Sequence, residues 1–179
     1  MSKTVSAFAL EMADREAIRD CMTRYARATD RCDAAQLAAV FWPDGSTEYE
    51  GFFEGPVSEY LKASAAATAG GMEQTHHFLG NMLIEVEGDF ANCESYVVAF
   101  HRLPNATGPT DLLLGGRYLD RFAKRNDTWR ILKRTLICDW FREYPDSADW
   151  EKGFFGLKMT MGERYPADRS YAVLKHIDG

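Results

Sequence analysis

The stretch T-H-H-F-L-G-N-M-L-I-E-V-E-G-D-F-A-N-C-E-S-Y-V-V-A-F-H, residues 75–101, reads as two long strands folded about a tight turn. Phe78, Met82, Ile84 and Val86 share one parity, the period of a strand with one apolar face. Glu87-Gly88-Asp89 supplies the turn, and Phe90 to His101 runs back antiparallel. Downstream, Pro104 to Pro109 is a loop, and Asp111 to Phe122 with Trp129 to Trp140 makes a second hairpin about Arg125-Asn126-Asp127. Upstream the pattern turns helical. Asp14 is placed to cap a helix in which Ile18, Met22, Tyr25 and Thr29 recur at helical spacing. Asp33 and Gln36 open a short second helix carrying Leu37, Val40 and Phe41, which Pro43-Asp44-Gly45 stops. A short strand is expected from Thr47 to Phe53. Gly55-Pro56 then starts a third helix, Val57 to about Ala69, closed by Gly70-Gly71. Helices grouped ahead of consecutive hairpins predict an α+β fold.

Working outward, 179 residues make one domain, and 46% hydrophobic composition supplies enough apolar surface to exclude general disorder. The net charge of -6 argues against nucleic acid or an anionic membrane surface as partner. No run reaches the roughly 18 apolar residues of a membrane span, and the N-terminus lacks an apolar signal core, so a cytoplasmic protein is expected. Cys21, Cys32, Cys93 and Cys138 form no C-x-x-C pair and read as free thiols. Neither a nucleophile elbow nor a phosphate-binding glycine loop is present; Gly115-Gly116 reads as a bend or bulge inside a strand. The periodicity fades from Tyr144, which divides the chain into a domain over 1–143 and an extension over 144–179 that serves as lid or oligomer contact.

Polar groups at strand positions that should be apolar single out a candidate site. His77 shares its predicted face with Leu79, Asn81 and Leu83, the mixture that a sheet bent round a ligand cavity produces. A slip of one residue exchanges it with His76, so which histidine faces inward stays open. Arg134 has Leu132, Leu136, Cys138 and Trp140 on its parity, with Trp129, Ile131 and Ile137 opposite; burying its guanidinium demands a carboxylate. His101 ends a face of small residues, Ala91, Cys93, Ser95, Val97 and Ala99, that leave room. Asp30 and Tyr25 on the first helix are the candidate partners. On an ideal helix they lie roughly 140° apart, so they share a cavity only where the helix ends or bends near Thr29. Each residue also has a packing explanation: a satisfied core histidine, an Asp30–Arg31 pair, a structural Arg134 salt bridge, packed Tyr25 and Tyr49. A metal on His76, His77 and His101 lacks a supporting carboxylate spacing.

The stretches I-R-D-C-M-T-R-Y-A-R-A-T-D-R-C-D and L-A-A-V-F-W-P-D of residues 18–44, T-H-H-F-L-G-N-M-L-I-E-V, and G-G-R-Y-L-D-R-F with W-R-I-L-K-R-T together resemble the SnoaL-like branch of the nuclear transport factor 2-like superfamily. The resemblance covers residues 10–143 and implies a cystatin-like cone: three N-terminal helices packed on a strongly curved, mainly antiparallel sheet around an apolar pocket. In scytalone dehydratase, bile-acid 7α-dehydratase and hexachlorocyclohexane dehydrochlorinase it implies an Asp-His pair, matched here by Asp30 and His77. The last-strand arginine matches Arg134, and Tyr25 stands at a catalytic tyrosine or lysine position. Tyr49 and His101 match substrate-binding positions of scytalone dehydratase more loosely, and Asn81 follows His77 in the same motif. The expectation is a cofactor-independent lyase of a cyclic, largely apolar hydroxy-ketone or aromatic substrate, assembled as a trimer or dimer, with no metal. The alternatives are a ketosteroid-type isomerase or polyketide cyclase on the same residues, and a non-catalytic ligand-binding protein or the small subunit of a ring-hydroxylating dioxygenase.

Overall fold

The first helix, α1 (Ala7–Arg31), starts well before Asp14. In this computed structural model, which describes residues 6–49, 51–70, 72–145, 156–157 and 160–174, Ser6 is the cap and its hydroxyl accepts the Ala9 N–H at 3.2 Å. Asp14 instead reaches sideways, accepting from Lys124 Nζ at 2.9 Å and Trp129 Nε1 at 2.8 Å. The strong helix formers A-L-E-M ahead of Asp14 let the helix run through it. Cys32, at φ 53°, turns the chain out of the helix. Asp33 then caps α2 (Ala34–Ala39) by accepting the Gln36 N–H at 3.1 Å. Phe41 does not continue that helix. It opens β1 (Phe41–Tyr49), because the Val40 carbonyl accepts the Ile131 N–H at 3.0 Å and parallel pairing takes over. The strand expected over 47–53 is divided, with β2 (Phe53–Pro56) folding back antiparallel on β1. α3 spans Val57–Ala69.

The remaining strands are β3 (Gln74–Glu87), β4 (Phe90–Leu103), β5 (Thr110–Arg125) and β6 (Thr128–Pro145). Sheet order is β2-β1-β6-β5-β4-β3, with only β1 and β6 parallel. Asn126 and Asp127, at φ 50° and 59°, form the two-residue β5–β6 turn whose twist matches the strands. The sheet curves without closing, and the helices pack on its inner face. There Ile18, Met22, Tyr25 and Ala28 of α1 meet Ile84, Val97, Tyr118, Phe122 and Ile131 of the sheet. No described helix is long and apolar enough to cross a membrane.

Two bulges decide which residues look inward. Leu79 pairs with Val97 but Met82 with Ser95, so β3 carries one extra residue at Gly80-Asn81 and its parity inverts there. His77 and Leu79 therefore share the inner face with Met82, Ile84 and Val86, while Asn81 and Leu83 turn outward with Phe78; the face predicted for His77 is corrected accordingly. On β6, Phe122 pairs with Ile131 and Arg121 with Lys133, which leaves Leu132 unpaired. An unbroken ladder would set Arg134 opposite Leu119, but the bulge sets it opposite Asp120 and on the inner face with Ile131. A third shift lies at Gly115/Gly116, where a Cβ on Gly116 would stand 2.3 Å from the Ile137 carbonyl oxygen.

The start of the expected extension, Tyr144, belongs to β6, and residues 146–155 lie outside the described residues. Residues 160–174, including the one-turn α4 (Ser170–Val173), lie against the C-terminal end of α1.

Candidate active site

Asp30 stands in the last turn of α1 and His77 near the start of edge strand β3, which packs along that helix. The Asp30 carboxylate takes both donors of His77, with Nδ1 at 2.7 Å from Oδ1 and the backbone N–H at 2.9 Å from Oδ2. The backbone bond orients the carboxylate whatever the ring does. Both side chains are nearly buried, at 5% and 10% exposure. Burial alone would raise the Asp30 carboxyl; the His77 ring and N–H outweigh it and hold the group below the ordinary carboxylate value. In the neutral His77 ring, with Nδ1–H given to Asp30, the lone pair is on Nε2. That nitrogen is 3.4 Å from Nε2 of His101, which accordingly donates across the gap.

The second group of residues is phenolic. The hydroxyls of Tyr25 (α1), Tyr49 (end of β1) and Tyr60 (α3) form a triangle with sides of 3.3, 3.3 and 3.4 Å. Behind Tyr25 lies Arg134, wholly buried, its guanidinium 3.9 Å from the Tyr25 ring centroid and 4.1 Å from that of Tyr118. Arg134 holds Asp120 with Nε at 2.7 Å and Nη2 at 2.8 Å. Burial works against the cation, and the Asp120 carboxylate overrides it and keeps the guanidinium charged. Burial would likewise raise the Tyr25 phenol, but the Arg134 charge and the neighbouring hydroxyls bring it below its ordinary value, while burial leaves Tyr49, Tyr60 and Tyr118 well above theirs. Of the four phenols, Tyr25 alone has the Arg134 charge and its neighbours outweighing burial, which makes its hydroxyl the strongest hydrogen-bond donor of the set.

Tyr25 reaches this assembly although Asp30 lies on another side of the helix, because His77 enters between them, its ring centroid 6.5 Å from that of Tyr25. Asp30, His77, His101, Tyr25, Tyr49 and Arg134 therefore come together. Asn81 does not; it lies exposed in an outer-face hollow with Phe78, Tyr96 and Trp140. His76 is exposed and stands apart from the His77–His101 pair, and among the described residues no cluster of His, Cys, Asp and Glu is placed to hold a metal ion. Sequence reasoning missed Tyr60 and Asp120. Tyr60 follows Val57 by three residues on the buried side of α3, a spacing that signals only packing. Asp120 was the carboxylate that Arg134 required, hidden by the Leu132 bulge that pairs the two.

His101 supplies a prediction. Burial first, then the neighbouring His77, lowers its imidazole from 6.5 to about 4. Between those values the unfolded chain takes up a proton that the folded chain refuses, so stability falls as pH drops, by about 3 kcal/mol over the full window. The lowered Asp30 carboxyl acts only at still lower pH. Urea unfolding at pH 7.5 and 4.5 is expected to show this slope in the native protein and a flatter one in His101→Phe; equal slopes would refute the burial of a neutral His101.

A family model described as SnoaL-like domain matches residues 10–135. No curated protein matches the sequence. Among solved structures, a protein of Novosphingobium aromaticivorans provisionally named scytalone dehydratase is 26% identical, with a TM-score of 0.67 over 77% of this chain and 92% of its own. A type 2 hexachlorocyclohexane dehydrochlorinase is 22% identical, with a TM-score of 0.71 over 80% and 97%. The β subunit of a protein provisionally named aromatic-ring-hydroxylating dioxygenase, also from N. aromaticivorans, is 23% identical, with a TM-score of 0.58 over 74% and 94%. The last two likenesses concern the fold alone.

Proposed function

The chain belongs to the SnoaL-like domain family, and from that premise we propose that it is a lyase that eliminates water from a cyclic, largely apolar hydroxy-ketone. The observation that carries this reading is the 2.7 Å Asp30–His77 contact beside the hydroxyl triangle of Tyr25, Tyr49 and Tyr60. The similar structure at 26% identity carries the name of an eliminating enzyme, a dehydratase.

In this reading His77 Nε2 takes the proton from the carbon next to the carbonyl, and Asp30 stabilises the imidazolium that forms. Tyr25 donates to the carbonyl oxygen as it becomes an enolate oxygen, with Tyr49 and Tyr60 supporting its hydroxyl. The electron pair returns to form the new C=C bond as the hydroxyl leaves from the adjacent carbon. That hydroxyl takes the proton from His77 and departs as water, and the enzyme is restored. Arg134 is wholly buried behind Tyr25 and holds Asp120 through Nε and Nη2 while its Nη1 has no hydrogen-bond partner, so in this reading it acts through the Tyr25 ring. His101 stays neutral, leaves the proton to His77, and turns its N–H from His77 Nε2 to the substrate hydroxyl once substrate is bound, which frees the lone pair of the base.

The test incubates the protein with a panel of cyclic β-hydroxy-ketones and, separately, cyclic β,γ-unsaturated ketones in D2O, following conjugated product by absorbance and deuterium at carbon by NMR. Enone formation with loss of water supports the lyase. A double-bond shift without water loss assigns the same residues to an isomerase. Absence of both exchange and turnover, with co-purification of an iron-containing partner, overturns catalysis in favour of a subunit role.

A further inference from the structure

Asp30 and His77 occupy the last turn of a helix and the first residues of an edge strand, two places where backbone hydrogen bonds run out and chains open most readily. Residues 160–174, outside the stretch that the family model matches, bond to both places. On the helix side, the Tyr165 N–H donates to the Arg31 carbonyl at 2.8 Å, one of the acceptors that the end of α1 leaves without a helical partner. The Asp168 carboxylate lies 3.2 Å from Arg31 Nε. Tyr171 donates its hydroxyl to Asp33 Oδ2 at 2.9 Å and packs its ring 3.9 Å beneath the Arg27 guanidinium. On the strand side, Arg164 Nη2 donates to the Met72 carbonyl and, at 3.2 Å, to that of Glu73. Asp168 also accepts the Glu163 and Ser170 N–H groups at 3.0 Å, which keeps Arg164 and the Arg31 contact in one rigid turn.

We propose that residues 164–171 form a positioning clasp, in which Arg164 and Asp168 hold the end of α1 and the start of β3 at the separation that keeps Asp30 and His77 in contact. Arg31 follows Asp30 directly, and Glu73 lies in the lead-in to the strand that carries His77, so each anchor is covalently close to one half of the pair. No clasp residue touches substrate; these are positioning residues. From the lyase reading the inference takes only that Asp30 and His77 are the working pair.

The test therefore reads the pair without substrate, so its result stands whether or not turnover is ever found. In the Arg164→Ala/Asp168→Ala protein, the His77 amide, which donates to Asp30 Oδ2 at 2.9 Å, should exchange with solvent at least about tenfold faster than in the native protein. The low-field NMR resonance of the His77 Nδ1 proton should broaden in parallel, and restoring Asp168 together with Arg164→Lys, which keeps one donor for the carbonyls, should recover part of both signals. A variant that melts lower but keeps native exchange at His77 and a sharp Nδ1 resonance shows the tail to be a structural brace only, and overturns the proposal. If the variant does not fold, exchange in the native protein decides: the Tyr165 and His77 amides should open with one rate and one denaturant dependence. Opening of Tyr165 far ahead of His77 refutes the clasp.

Discussion

Turnover in the His77→Gln protein falls by about 10² to 10⁴, the range that a positioned general base contributes. Glutamine keeps the size and a polar tip but cannot accept the proton from carbon. The fold should tolerate the change, since the backbone N–H of residue 77 still binds Asp30 Oδ2 at 2.9 Å. Asp30→Asn should lose activity as well, with the ring intact, because an amide neither stabilises the imidazolium nor enforces the Nδ1–H tautomer. The measurement is kcat with the hydroxy-ketone that the panel identifies, at pH 7.5, where His101 is neutral in the folded and the unfolded chain alike. Native turnover in His77→Gln would remove His77 from the chemistry and the elimination mechanism with it.

Asp120→Ala should be the most damaging single change to stability. It strands the Arg134 guanidinium, fully buried among Tyr25, Tyr118 and the Met22 sulfur, without a counter-ion. Breaking a buried pair from one side costs about 3 to 5 kcal/mol, which in a domain of this size lowers the melting temperature on the order of 10 °C. The paired replacement Asp120→Leu/Arg134→Met should recover most of that loss, because two matched apolar side chains need no desolvation of charge. Activity should not return with it, since the cation that brings Tyr25 below its ordinary value is gone. Calorimetry on the three proteins, beside turnover, separates the two roles of the pair. A single variant that melts with the native protein would mean that the guanidinium finds other partners or water.

The clasp, the His101 pH slope and these two substitutions address different layers of the same arrangement. The tail holds the elements that carry the pair, burial keeps His101 neutral, and the Asp120–Arg134 pair sets the electrostatics at Tyr25. None is visible in local sequence, because each depends on contacts between segments far apart in the chain: 168 with 31, 101 with 77, 134 with 25.

Strand and helix order was legible from residue periodicity, and with it the α+β class, because apolar spacing of two or near 3.6 follows from backbone geometry alone. The turns at Glu87-Gly88-Asp89 and Asn126-Asp127, the Asp33 cap and the third helix from Val57 were readable for the same local reason. Side-chain facing was not. A bulge adds one residue to one strand, and its place is chosen by the fit of that strand to its neighbours, so parity counted along the chain fails beyond it. That is why Asn81 turned outward and why the Arg134 carboxylate proved to be Asp120, across a ladder shifted at Leu132. The chemical inventory (an aspartate at a helix end, a histidine on a mixed strand, a buried arginine) could be read residue by residue. Their convergence into one charged and hydrogen-bonded assembly is a property of the curved sheet and of the helix laid across it.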